Sequence, residues 1–140
     1  MHSAGEQPSE KAIAIAVVEH DGCFLVGERP PGVPLAGYAE FPGGKLHPGE
    51  APADAARREC LEETGLDVEV LQSLGTVHHQ YDHGLLVLHF MHCQLSDAKK
   101  NSPRSPFQWV AREKLASLQF PPANQSVIER LLRSDAKPLQ

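Results

Sequence analysis

The sequence predicts an α/β domain in which a mixed β-sheet is sandwiched between helices, an α/β/α arrangement. Three observations carry this. Two pairs of apolar, β-rich runs are each joined by a short turn containing Asp and Gly, a helix-periodic acidic stretch lies between the pairs, and a terminal helix places Val127, Ile128, Leu131 and Leu132 on one face.

Taken in order, residues 11–18 alternate Ala and Ile before ending in Val-Val, and residues 23–26 follow after His20-Asp21-Gly22, which reads as a hairpin with an Asp-Gly turn. The prolines and glycine of residues 30–34 break regular structure and leave a loop of the kind that borders binding sites. A short apolar stretch at residues 38–41 precedes Pro42-Gly43-Gly44. After the turn at Pro48-Gly49 a helix is expected from Glu50 or Ala51 to Thr64, stopped by Gly65. Residues 68–81 and 85–93, joined at Asp82-His83-Gly84, read as a second hairpin of two central strands. Residues 97–106 form an exposed loop, 107–110 a strand, 112–118 a helical turn, and the final helix follows Phe120-Pro121-Pro122. One domain is expected over residues 11–134, with a disordered leader over 1–10 and a flexible tail over 135–140.

Composition narrows the function. The chain has 140 residues, 41% of them hydrophobic, and no apolar run approaches the length that spans a bilayer. The polar start lacks the layout of a secretory signal, so a cytoplasmic protein is expected. Cys23, Cys60 and Cys93 form no CxxC pair, which argues against a disulfide framework and a zinc site. A net charge of −5 without a Lys/Arg block speaks against duplex nucleic acid as a partner and leaves a free nucleotide open. A monomer or a homodimer is equally compatible with the sequence.

Residues 41–66, FPGGKLHPGEAPADAARRECLEETGL, concentrate the chemistry. On the expected helix Ala53, Ala56, Cys60 and Thr64 form a narrow stripe for a sheet, and Glu59, Glu62 and Glu63 share the neighbouring arc. Like charges so close repel, and a divalent cation on hard carboxylate oxygens offsets this. The alternative is a solvated acidic face with Arg–Glu pairs. Arg58, one turn before Glu62, is placed to orient an acid, Glu50 is favoured near the helix start by the macrodipole, and Gly43 and Gly44 let the backbone approach a ligand or turn a carbonyl to a metal.

Gly44, five residues, Glu50, seven residues, then Arg58-Glu59-Cys60-Leu61-Glu62-Glu63-Thr64-Gly65-Leu66 resembles the Nudix box, GX5EX7REUXEEXGU, at every fixed position; Cys60 stands where the family prefers Ile, Leu or Val. The resemblance implies a Nudix fold and hydrolysis of a nucleoside diphosphate linked to a further group. It implies Mg²⁺, or Mn²⁺ in its place, on Glu59 and Glu63, with Glu62 beside them and the Gly44 carbonyl as a further ligand. Glu59 leads as base, Arg58 and Glu50 orient the carboxylates, and Lys45 neutralises phosphate charge.

The similarity reaches beyond the box. Glu40-Phe41-Pro42-Gly43-Gly44-Lys45, Trp109-Val110 and Phe120-Pro121-Pro122-Ala123-Asn124 resemble segments of the MutT-type 8-oxo-dGTP diphosphatases. That resemblance implies that Asn124 reads an oxidised purine, that Arg29 contacts the nucleotide, and that Glu40 and Phe41 line the base pocket; Asn124 is also a good N-cap for the helix that follows. Asp82, in the hairpin turn, is a further pocket candidate or simply a turn residue. One departure stands out: these enzymes often carry an acid before the tryptophan, and this chain has Gln108, which orients a water but takes no proton. The expected activity is release of a nucleoside monophosphate and pyrophosphate from 8-oxo-dGTP, a role in nucleotide-pool cleaning. The alternatives are a pyrophosphatase for CTP or another nucleoside diphosphate derivative, and a Nudix fold kept only to bind nucleotides. The histidines at 78, 79, 83, 89 and 92 have no metal-site spacing, since neighbours on a strand face opposite sides.

Overall fold

The Ala/Ile alternation near the start of the chain sits at the centre of the fold, as strand β1, Ser9–His20. The structure, a computed structural model, describes residues 9–133. The leader and tail expected over residues 1–10 and 135–140 fall outside that span, except Ser9 and Glu10, which open β1.

Strand β2, Cys23–Glu28, returns antiparallel to β1. The two residues between them, Asp21 (φ 50°) and Gly22 (φ 77°), both have positive φ, the type I′ geometry that matches strand twist and suits Asp-Gly. Two short strands follow, β3 (Ala39–Glu40) and β4 (Gly43–Lys45); β4 pairs antiparallel with β1, Gly44 opposite Ala14. Helix α1 spans Pro52–Thr64 and leads to β5 (Val68–Tyr81), β6 (Gly84–Leu95) and β7 (Gln108–Ala111). The 3₁₀ turns Arg112–Ser117 and Pro122–Asn124 precede the last helix, α2, Gln125–Arg133.

The main strand order is β3-β2-β1-β6-β5, with β4 added to β1 and β7 to β2. Strands β1 and β6 run parallel and the remaining pairs antiparallel, so the sheet is mixed as expected. The second hairpin differs from the expectation in one respect: only β6 is central, and β5 is an edge. The two strands carry different patterns, because β6 is almost continuously buried while β5 alternates with exposed Glu69, Gln80 and their like. Register shifts near Leu71 and Leu74 further bend β5, a common treatment of an edge.

Both faces of β1 are covered. Ala14, Ala16 and Val18 join Ala55, Ala56 and Cys60 of α1 in one core, while Ile15 and Val17 join Val127, Ile128 and Leu131 of α2 in the other. Alanines face the helix that lies closest and isoleucines the helix that needs filling, so one alternating strand specifies two layers. On α1 the buried stripe includes Ala55 as well as Ala56, Cys60 and Thr64, and Ala53 is only half-buried.

Pro52 begins α1 at a position where a missing N–H costs nothing, and Gly65 (φ 80°) ends it by donating its N–H to Leu61 O at 2.9 Å. Arg104, from the loop before β7, donates its backbone N–H to Thr64 O and its Nη1 to Glu62 O, both at 2.8 Å. The carbonyls of Leu61, Glu62 and Thr64 at the end of the helix thereby have partners. Since Ala56 is fully buried between α1 and the sheet, Ala56→Leu is expected to cost about 1–3 kcal/mol by overpacking, read as a lowered midpoint of urea unfolding.

Candidate active site

The helix presents its charged side chains around one guanidinium. Arg58 forks onto Glu50, Nε to Oε2 at 2.8 Å and Nη2 to Oε1 at 3.0 Å. Its Nη1 reaches Glu59 Oε2 at 3.0 Å and Glu62 Oε1 at 3.2 Å, and Nη2 also donates to the Lys45 carbonyl at 3.0 Å. The fork is the geometry that a planar guanidinium offers a carboxylate. Glu50 lies before α1 rather than within its first turn, and its Oε1 accepts the His47 N–H at 2.9 Å. The hydrogen bonds from Arg58 and then from His47 hold its carboxyl down at about 2, and the Arg58 guanidinium is pushed above its usual range chiefly by Glu50.

Glu59 and Glu63 turn the other way, onto β4. The carboxyl group of Glu59 lies so close to Gly44 that a Cβ there would overlap it. Glu63 Oε1 accepts the Gly43 N–H at 3.3 Å. Burial, then the hydrogen bond and charge of Glu59, with a contribution from Glu40, push the Glu63 carboxyl up to about 8. Glu62 is placed differently from the metal-ligand expectation: its side chain is 57% exposed and its carboxylate is on Arg58, the partner four residues back on the same helix face. Among the described residues no three His, Cys, Asp or Glu side chains are arranged to hold a metal ion by themselves. The donors that converge are two carboxylates and the Gly43-Gly44 backbone.

On the other side of these glycines lies a cavity of about 520 Å³. Ile13, Ile15, Leu86 and Leu88 form an apolar floor. Arg29, Glu40 and Phe41 make one wall, with Arg29 Nη1 to Glu40 Oε1 at 3.3 Å and Arg29 Nε to Pro34 O at 2.9 Å. Burial raises the Glu40 carboxyl and Arg29 opposes that rise. Phe41 is buried and stacks on Phe120 with centroids 5.0 Å apart. Asn124 closes the opposite side; it is 8% exposed, and its side-chain amide donates back to Pro121 O at 3.3 Å. That bond runs back to the residue before the 3₁₀ turn.

The expected residues therefore fall into three groups. Gly44, Glu59 and Glu63 meet at β4; Arg58, Glu50 and Glu62 form the ion-pair network beside them; Arg29, Glu40, Phe41 and Asn124 line the cavity. Lys45 is exposed at the end of β4 and Asp82 is exposed at the hairpin tip, and neither lines the cavity. His79 and Tyr81 do line it. The alternation of β5, which separates His78 from His79, held the signal for them. Gln108 is exposed on β7, opposite Val26, and its side chain makes no hydrogen bond among the described residues.

An 8-oxo-dGTP diphosphatase from Escherichia coli strain K12 is 27% identical over 123 residues, which cover 86% of this chain and 95% of that protein. A CTP pyrophosphohydrolase from the same strain is 26% identical over 121 residues, covering 86% of this chain and 90% of that protein. Among solved structures, the MutT protein from Methanosarcina mazei Go1 is similar with a TM-score of 0.74 and 25% identity, over 94% of this chain and 99% of that one. Residues 13–130, from the first apolar strand to the last helix, match the NUDIX domain, so the chain belongs to the Nudix family and is a hydrolase acting on phosphoric anhydrides.

Proposed function

We propose that this Nudix hydrolase is a Mg²⁺-dependent nucleoside triphosphate pyrophosphohydrolase that cuts 8-oxo-dGTP to the monophosphate and pyrophosphate, and so cleans the nucleotide pool. One observation carries the reading: Gly43 and Gly44 line the cavity and also contact Glu59 and Glu63. A base held in the cavity has its phosphates beside the acids, with no side chain between.

The donor set suits a hard divalent cation. All the atoms are oxygens, Gly44 leaves the space its Cβ would fill, and burial beside Glu59 pushes the Glu63 carboxyl up to about 8, a crowding that a counter-charge offsets. Glu59 and Glu63 would hold Mg²⁺, or Mn²⁺ in its place, with the Gly44 carbonyl as a further ligand. When bound, the cation neutralises phosphate oxygens and makes a bound water more acidic. Glu59, fixed by Arg58 and Gly44, takes the proton as water bonds to phosphorus, and the anhydride P–O bond breaks to release pyrophosphate. Lys45, exposed at the end of β4, adds positive charge for the phosphates. Phe41 offers the base an apolar face, and Asn124 offers both a donor and an acceptor for a purine edge.

A second reading, hydrolysis of CTP or another nucleoside diphosphate derivative, is favoured by the similarity to a CTP pyrophosphohydrolase at nearly the same identity as to the 8-oxo-dGTP diphosphatase. A substrate panel separates the two. Under the leading reading 8-oxo-dGTP is turned over faster than dGTP, and Asn124→Ala lowers that ratio by about tenfold, the scale of one or two lost hydrogen bonds. An unchanged ratio in Asn124→Ala removes the purine-reading role.

Glu59→Gln and Glu63→Gln are each expected to reduce kcat by about 10²-fold or more with Mg²⁺, with pyrophosphate as the second product of the parent enzyme. Parent-like rates in both variants, or orthophosphate as the product, contradict the mechanism.

The raised Glu63 carboxyl gives a further test that needs no substrate. The folded protein keeps a proton that the unfolded chain has already released between about 4.5 and about 8, so stability of the metal-free protein falls as pH rises through that window. In EDTA, Glu63→Gln is expected to flatten this fall, and Mg²⁺ is expected to flatten it in the parent. Urea midpoints measured at several pH values report both effects.

A further inference from the structure

The loop between β2 and β3 carries part of the cavity's outer edge. Of the residues that line the cavity, Pro34 and Leu35 of this loop and Pro122 of the turn before α2 are the exposed ones, so the rim is apolar while the inner walls carry Arg29, Glu40 and Asn124. Leu35 also has an unusual backbone, with φ 62°. Among the described residues the other non-glycine with positive φ is Asp21, whose hairpin turn requires it, and in the same loop Gly32 (φ 87°) and Gly37 (φ 85°) meet that demand as glycines. A leucine adopts it only against its own steric preference. Hydrogen bonds fix the conformation from both sides: Arg29 Nε donates to Pro34 O at 2.9 Å, the Tyr38 N–H to Leu35 O at 3.1 Å, and the Gly37 N–H to Arg29 O at 2.9 Å.

Burial in the protein does not offset that strain, because the Leu35 side chain is 41% exposed. A large apolar side chain is thus held at the cavity mouth, in a strained conformation and half out of contact, which is the state of a group whose remaining contact is made by a ligand. We infer that Leu35 is a specificity-determining residue, whose side chain covers the outer part of the base bound in this cavity. The inference rests on the reading of the cavity as a base site. It gives the rim a task distinct from that of Asn124: the amide reads polar groups of the base, while Leu35 responds to how much apolar ring surface reaches the mouth. A two-ring base brings more of that surface than a one-ring base, so Leu35 favours purine over pyrimidine nucleotides.

The test is Leu35→Asn, since Asn tolerates a positive φ and is polar, with Leu35→Met as the apolar control. The Tm of ligand-free Leu35→Asn is expected to stay near that of the parent; a fall of more than about 5 °C shows that the side chain serves the fold and overturns the inference. Kinetics are compared on 8-oxo-dGTP, dGTP and CTP, with CTP followed as a competitive inhibitor where it is not cut. In Leu35→Asn the two purine nucleotides are expected to lose about fivefold in kcat/KM, mainly through KM, while the constant for CTP changes by less than about twofold. Leu35→Met is expected to recover most of the loss. An equal or larger loss on CTP, no loss on the purine nucleotides, or a loss that Leu35→Met shares in full overturns the inference and leaves the base-site reading in place. A parent enzyme that hydrolyses neither purine nucleotide removes the leading reading of the cavity and this inference with it.

Discussion

One guanidinium serves three carboxylates, and the remainder of the site follows from that division. Arg58 binds Glu50, Glu59 and Glu62, which leaves Glu63 with the single N–H of Gly43. The ion pairs lower the carboxyl of Glu50, while burial and the nearby Glu59 raise that of Glu63. Acids of the same type, within one short stretch of chain, are thus driven to opposite ends of their range. The network is partly exposed, so its worth lies in holding directions more than in adding stability. Glu50 and the Lys45 carbonyl grip Arg58 from outside the helix, and Arg58 in turn sets the angle from which Glu59 meets Gly44.

That geometry depends on a thin partition. Side chains from alternate positions of β1 go to the α1 core or the α2 core, and the acids and the cavity floor inherit this separation: Ala14 lies on the acids' side, while Ile13 and Ile15 lie on the cavity side. A strand of ordinary residues beside β1 would wall the two off. Strand β4 instead begins with two glycines, and a Cβ on Gly43 would collide with the β1 backbone as surely as one on Gly44 would collide with Glu59. The glycines therefore do more than turn the chain. They let a helix, a strand and a cavity meet within the thickness of one backbone.

Much of this was legible in the sequence, for different physical reasons. The Asp21-Gly22 hairpin, the Gly65 stop and the apolar face of α2 are local signals, written in the residues that make them. The spacing of Arg58, Glu59, Glu62 and Glu63 placed all four around one point. It did not say which acids would turn to β4 and which to Arg58, because that depends on Gly43 and Gly44 arriving from another strand. Strand β4 itself was hidden, since Gly-Gly-Lys carries no strand propensity and is held by pairing with β1. The parallel pairing of β1 with β6, some seventy residues apart, leaves no local mark, and without it β5 and β6 look equally central. His79 and Tyr81 share one parity on β5, but which parity meets a cavity depends on where β5 lies in the sheet, and that is set by the distant pairing of β6 with β1.

Gln108 bears on the chemistry in the same way. On β7 its partner is Val26 of β2, and its side chain is exposed without a described bond to any acid. A glutamine accepts no proton in any case, so proton transfer under the proposed mechanism falls to the carboxylates of α1. Glu62, on the exposed flank of the helix, is held by Arg58, as is Glu50 before the helix, which also accepts the His47 N–H. The remaining two are Glu59, beside Gly44, and Glu63, whose carboxyl burial and the nearby Glu59 push up to about 8. Under that mechanism Glu59 and Glu63 would together hold the cation, which would offset the crowding that raises Glu63, and Glu59 would also take the proton. A chain with an additional acid on β7 could separate those tasks, whereas this one joins them at Gly44.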